Sequence, residues 1–196
     1  MKLQPVLMCI PDEPLTPPQQ VARQHSFART ALEACAIRND APLDGWEQDA
    51  GGAPRPQAGW YWSLSHKRRW AAAVIADRPV GIDVEHIVPR REALWDAVAF
   101  DAERALLGQR TWTTFFRIWT AKEAVLKAHG VGIGRLTDCR LVQVPDDRGM
   151  VVMYLGHEWL VEHFLVGDHL AAVTSHGEPV TWHLMEATRA TCPVPS

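Results

Sequence analysis

The stretch from Phe115 to Gly134 constrains this chain more than any other. Phe115, Ile118, Trp119, Val125 and Leu126 recur at three- and four-residue steps, so they form one apolar helix face that must pack against a core. Lys122 interrupts that face. Its helical neighbours are Ile118, Trp119, Val125 and Leu126, and a cation among them is tolerated only with an anionic partner. The expected partner is a carboxylate or ligand phosphate of a functional site, with Lys122 partly buried and Lys127 more exposed. Glu123 sits one residue round, four before Lys127, so a carboxylate and a second lysine leave the helix together; the plain reading of these two is a surface ion pair. Gly130 supplies a left-handed cap, and Gly132 and Gly134 leave the next backbone bare.

Upstream, Pro11 to Gln20 reads as an extended lead-in to a helix from about Val21 to Ile37, which carries Arg23 and Arg29. A loop from Asn39 to Gly59 leads into Trp60-Tyr61-Trp62-Ser63-Leu64-Ser65, alternating enough to be a strand. Ser65-His66-Lys67-Arg68-Arg69 is a basic turn, either solvated or a phosphate clamp. After the strand Trp70 to Ala76 and the turn Asp77-Arg78-Pro79, a second strand runs from Val80 to Glu85. Its period of two puts Gly81, Asp83 and Glu85 on one face, the carboxylates roughly 6 to 7 Å apart, while His86 points to the apolar side. Two like charges on one face are either solvated or held by a cation. Oxygen ligands with no Cys or His on that face favour a hard ion such as Mg²⁺, shared with substrate phosphates.

Glu92 to Leu107 is helical with a break near Phe100, and strands follow at Leu141 to Val144, Met150 to Leu155 and Glu158 to Val166. Leu170-Ala171-Ala172-Val173 through Pro179-Val180 echoes Trp70-Ala71-Ala72-Ala73 through Pro79-Val80 at a constant offset, as two similar halves would. In the echo His183 and Met185 stand where Asp83 and Glu85 do, so only one carboxylate site is expected. Thr188 to Ser196 reads as a loose tail. The net charge of -3 argues against a nucleic-acid surface and favours a small polyanionic ligand. Four cysteines without paired spacing argue against a zinc site or a disulfide framework and for a reducing cytoplasm, and no apolar run suits a membrane.

Val80-Gly81-Ile82-Asp83-Val84-Glu85, then Trp119-Thr120-Ala121-Lys122-Glu123-Ala124 with Lys127 and Gly130-Val131-Gly132, resembles the paired signature of the 4′-phosphopantetheinyl transferase superfamily in its Sfp-type branch; Leu64-Ser65-His66 resembles a third motif. The resemblance implies an α+β fold of two similar α/β halves, 1–87 and 88–196, related by a pseudo-twofold axis with the metal site at their junction. It implies a monomer that moves phosphopantetheine from coenzyme A to a serine of an apo acyl or peptidyl carrier protein, for fatty-acid, polyketide or nonribosomal peptide synthesis. Mg²⁺ would be held by Asp83, Glu85 and Glu123; Glu123, Lys127 and Lys122 would act in catalysis; Ser65, His66, Arg29, Arg55, Lys67 and Arg68 would bind coenzyme A. The family often has Asn where this chain has Ser63 and a small residue where it has Lys67. It carries a cation where this chain has Ala53, for which Arg55, Lys67 or Arg68 are the substitutes at hand. The same carboxylates and lysines acting on water would make a Mg²⁺-dependent phosphodiesterase or nuclease, and without chemistry a binding module for coenzyme A or a carrier.

Overall fold

The computed structural model describes residues 2–131 and 133–186; Gly132 and the tail from Thr188 lie outside them. In chain order the elements are β1 (Val6–Cys9), α1 (Pro17–Arg38), β2 (Tyr61–Lys67), β3 (Trp70–Ala76), β4 (Ile82–His86), α2 (Leu94–Val98), α3 (Asp101–Leu107) and α4 (Trp112–Ala128). A 3₁₀ turn at Ile133–Asp138 leads to β5 (Arg140–Gln143), β6 (Gly149–Tyr154), β7 (His157–Val166), β8 (His169–Thr174) and β9 (His183–Met185). The fold is mixed α+β with two sheets, ordered β2-β3-β1-β9 and β4-β8-β7-β6-β5. Among the described residues no helix is long and apolar enough to cross a membrane.

Helix α1 covers the first sheet, packing Ala31, Leu32 and Cys35 on Val6, Met8, Ala73 and Ile75. Helix α4 covers the second, setting Phe115, Ile118, Val125 and Leu126 on Met150, Val152, Val161 and Leu170, so the apolar face read from the sequence is the buried one. Leu7, Val74, Ile82, Val84 and Val173 fill the space between the sheets. The helix α1 starts earlier than the pattern indicates. Pro17 and Pro18 form its first turn, where a missing N–H costs nothing, and Gln19 Oε1 accepts the Thr16 backbone N–H at 3.0 Å. The strand β1 escaped the sequence reading because four apolar residues, three of them buried, have no periodicity to detect.

Two strands change sheets. β4 follows the β2–β3 hairpin yet pairs antiparallel with β8, and β9 follows the β7–β8 hairpin yet pairs in parallel with β1. Both echoing segments therefore contain the second strand of a hairpin, followed by a strand that crosses over. β4 and β2 are the facing edges of their sheets, and they are joined by side chains: Ser63 Oγ accepts the Ile82 N–H and Ser65 Oγ the Val84 N–H, each at 3.2 Å.

Gly81, just before β4, sits so tightly on α4 that an added Cβ would lie 1.8 Å from the Ala124 carbonyl oxygen and 2.7 Å from the Ala128 nitrogen. Its N–H donates to Thr174 Oγ1 at 3.0 Å, and its carbonyl accepts the Thr174 N–H at 3.0 Å, so it cannot simply retreat. Gly81→Ala is expected to destabilise the fold by at least the ~1–3 kcal/mol typical of overpacking, read as a lower urea midpoint. An unchanged midpoint would show that β4 and α4 have room to part.

Candidate active site

Alternation along β4 sends Asp83 and Glu85 toward the seam between the sheets, and the tight contact at Gly81 brings that face up to α4. Asp83 is buried, with Oδ1 taking the Ser65 hydroxyl at 2.8 Å and the Lys127 ammonium at 2.7 Å. Glu85 is held by Lys67, whose Nζ lies 2.9 Å from Oε2. Glu123, one turn before Lys127 on α4, completes the group. Burial first, and then the charges of Asp83 and Glu85, push its carboxyl up to about 7, against the pull of Lys127. Burial, and then Asp83, likewise raises Glu85.

Asp83 Oδ2 and Glu123 Oε1 are buried without a hydrogen-bond partner. Two orphaned acidic oxygens beside a third carboxylate are the donor set of a hard divalent cation, so these residues fit Mg²⁺. The three carboxylates do not draw their oxygens within 4.8 Å of one another; among the described residues the group that does is His86, Asp168 and His169. His66 stands edge-on to His25, with ring centroids 4.6 Å apart. Burial, then His25, Lys127 and Lys67, lowers its pKa to about 4, so the imidazole is neutral near pH 7. A cleft of about 220 Å³ adjoins Lys127, lined by Gly52, Ala53, Pro54, Ser63 and Gly130 among others.

The family description "4′-phosphopantetheinyl transferase superfamily" matches residues 79–174, from just before β4 to the end of β8, and so takes in all three carboxylates. Over this span the chain is similar to that superfamily. It is 30% identical over 138 residues to 4′-phosphopantetheinyl transferase HetI of Nostoc sp., a match covering 65% of this chain and 57% of that one. It is 35% identical over 94 residues to 4′-phosphopantetheinyl transferase psf-1 of Bacillus pumilus, covering 45% and 40%. With 4′-phosphopantetheinyl transferase AcpT of Salmonella typhi it shares 32% over 126 residues, covering 58% and 62%. The chain thus spans less than two thirds of these relatives' lengths.

Of the residues singled out from the superfamily motifs, the structure gathers Ser65, Lys67, Asp83, Glu85, Glu123 and Lys127, with His66 alongside. Lys127 is not a surface partner of Glu123, because its ammonium crosses to Asp83. Arg29 is elsewhere: it donates to the Trp46 carbonyl at 2.7 Å and lies over the Trp62 ring, tying down the loop after α1. Arg55 is exposed in that loop, its carbonyl accepting from Trp62 Nε1. Arg68 turns away, with Nη1 3.5 Å from His86 Nδ1 on the face of β4 opposite the carboxylates.

Lys122 needs its anion, as its position requires, but that anion belongs to neither the carboxylate group nor a ligand. Its side chain is 0% exposed and its ammonium lies 2.7 Å from Glu103 Oε1 and 2.7 Å from the Val98 carbonyl. Burial pulls its pKa down while Glu103 pulls it back. Glu103 also accepts the Phe100 N–H through Oε2 and the Leu141 N–H through Oε1, both at 2.7 Å, so one carboxylate fastens the α2–α3 corner and β5 to α4. Three functional or supporting residues escaped the sequence reading. Glu103 had a signal, a glutamate three residues past a helix start, but this betrays a cap and not a distant lysine. His25 and the close contact at Gly81 had none.

Lys122→Met should leave Glu103 buried and unpaired and cost about 3–5 kcal/mol, and Glu103→Gln added to it should recover part of the loss. Denaturant titration of both variants checks this; a Lys122→Met midpoint equal to the parent's would show that the pair holds nothing together.

Proposed function

We propose that this chain is a Mg²⁺-dependent, Sfp-type phosphopantetheinyl transferase that moves 4′-phosphopantetheine from coenzyme A to a serine of an apo acyl or peptidyl carrier protein. The observation that carries the reading is the convergence of Asp83, Glu85 and Glu123 at the seam, two of them with orphaned oxygens, beside Lys127 and the adjoining cleft. The names of the matched relatives point the same way.

In this reading the serine Oγ–phosphorus bond forms at the β-phosphate of coenzyme A as the bond to the α-phosphate oxygen breaks, releasing 3′,5′-ADP. Asp83, Glu85 and Glu123 would hold Mg²⁺, which when bound neutralises pyrophosphate charge. Glu123 takes the serine proton directly or through a water. Lys127 is partly exposed at the mouth of the cleft, where its ammonium can pass from Asp83 to the pyrophosphate and stabilise the departing nucleotide. Ser65 and neutral His66 orient the phosphates, and Lys67 offsets part of the upward push that burial and Asp83 exert on the Glu85 carboxyl. Ala53 and Pro54 leave an uncharged wall, so contacts to the nucleotide come from the backbone and from Arg55, exposed one residue further along the loop.

We further infer that 1–87 and 88–196 are similar halves related by a pseudo-twofold axis, each lending its last strand to the other's sheet. The matching crossovers of β4 and β9 and the sequence echo support this. Free Cys9, Cys35 and Cys139 suit a reducing cytoplasm, and we expect a monomer.

Incubation with apo-carriers, coenzyme A and Mg²⁺ should add one phosphopantetheine per carrier, read by intact mass. Glu123→Gln and Asp83→Asn should slow the transfer at least ~100-fold while retaining the fold by circular dichroism. Consumption of coenzyme A without a carrier would instead select the phosphodiesterase. Mg²⁺ and coenzyme A together should raise the thermal midpoint more than the sum of their separate shifts, because each completes the other's site; purely additive shifts would refute a shared site.

A further inference from the structure

We propose a second metal site, at His86, Asp168 and His169, with the chemistry for a borderline divalent transition ion such as Zn²⁺. His86 and His169 are direct cross-strand partners in the antiparallel β4–β8 pair. Their Cβ atoms are therefore about 4.5–5.5 Å apart with both side chains on one face, a spacing that two imidazoles can span around one ion. Asp168, at the β7–β8 turn, supplies a third donor: Oδ2 lies 2.8 Å from His86 Nε2 and Oδ1 2.7 Å from His169 Nδ1. One ligand atom from each residue falls within 4.8 Å of the others, the tightest convergence of metal-ligating side chains among the described residues. The backbone beneath is fixed, because the Ile87 N–H donates to the Asp168 carbonyl at 2.8 Å.

Two imidazoles and one carboxylate suit Zn²⁺, Co²⁺ or Ni²⁺ and serve Mg²⁺ poorly, since Mg²⁺ prefers an octahedron of oxygens. The pleat of β4 keeps the two sites apart, with Asp83 and Glu85 on one face and His86 on the other. Beside the three donors opens a cavity of about 160 Å³, lined in part by Asp12, which leaves a coordination position to water. Ion entry requires the stacked rings, now 4.7 Å apart, to turn their nitrogens inward. It also requires Arg68 to leave His86 Nδ1, which then carries the proton. That contact is 3.5 Å long and Arg68 is exposed, so the movement is small, although Arg68 and Arg69 at the cavity wall temper the affinity.

The test uses the full chain stripped with chelator and titrated with Co²⁺ and Zn²⁺ in excess Mg²⁺. One equivalent of Co²⁺ should develop a visible absorption band and Zn²⁺ should raise the thermal midpoint. Asp168→Asn and His86→Gln should each weaken binding by about 10- to 100-fold, and Glu123→Gln should leave it unchanged. Asp168 is 67% exposed at its side chain, so Asp168→Asn tests the site even if His86→Gln does not fold. Absence of a Co²⁺ band or a Zn²⁺ shift, or full binding by Asp168→Asn, overturns the proposal. Loss in Glu123→Gln would place the ion at the carboxylates and overturn it equally.

Discussion

Crowding three carboxylates onto one buried seam costs Coulomb energy and desolvation, and much of the structure around that seam offsets the cost. Asp83 is neutralised by Lys127 and hydrogen-bonded by Ser65, and Glu85 lies against Lys67. Asp83 and Glu123 each keep an unpartnered oxygen, and the carboxyls of Glu85 and Glu123 are both raised, Glu123 to about 7, so the residual cost falls most heavily on Glu123. A phosphate-bound cation would relieve it, while water alone would not. The lysines come from a strand of one sheet and the helix on the other, which makes the site a property of the junction rather than of either layer.

Holding that junction closed falls to short-range contacts. Gly81 removes the side chain that would keep β4 from α4, and Ser63 and Ser65 satisfy the N–H groups that an edge strand would otherwise leave without partners. Strand exchange ties the two layers in both directions, so separating them means breaking the β4–β8 and β1–β9 ladders.

The buried pair Lys122–Glu103 sets how α4 is rolled about its axis. Lys122 and Glu123 are adjacent, about 100° apart around the helix, so a rotation that freed the lysine would also carry Glu123 away from Asp83. A buried ion pair is weak evidence for net stability, but it is strong specification of geometry when each oxygen and proton has a named partner, as the Phe100, Leu141 and Val98 backbone groups provide here.

Much of the site was legible in the sequence because the relevant signals are local. The 3.6-residue period marked α4 and showed that Lys122 required an anion, and the two-residue period put Asp83 and Glu85 on one face with His86 on the other. Which anion and which cations could not be read, because those choices depend on chain segments brought together by loop closure. Glu103 reaches Lys122 only after α2 and α3 fold back on α4; Arg29 and Arg68 are drawn off by Trp46 and His86; the pairing of His86 with His169 exists only because β4 crosses to the second sheet. Periodicity and side-chain charge are written residue by residue, so the sequence alone determined which groups face a core and which need a partner. Tertiary structure decided the partners, because packing and strand pairing between distant segments select one neighbour from many that charge alone would allow.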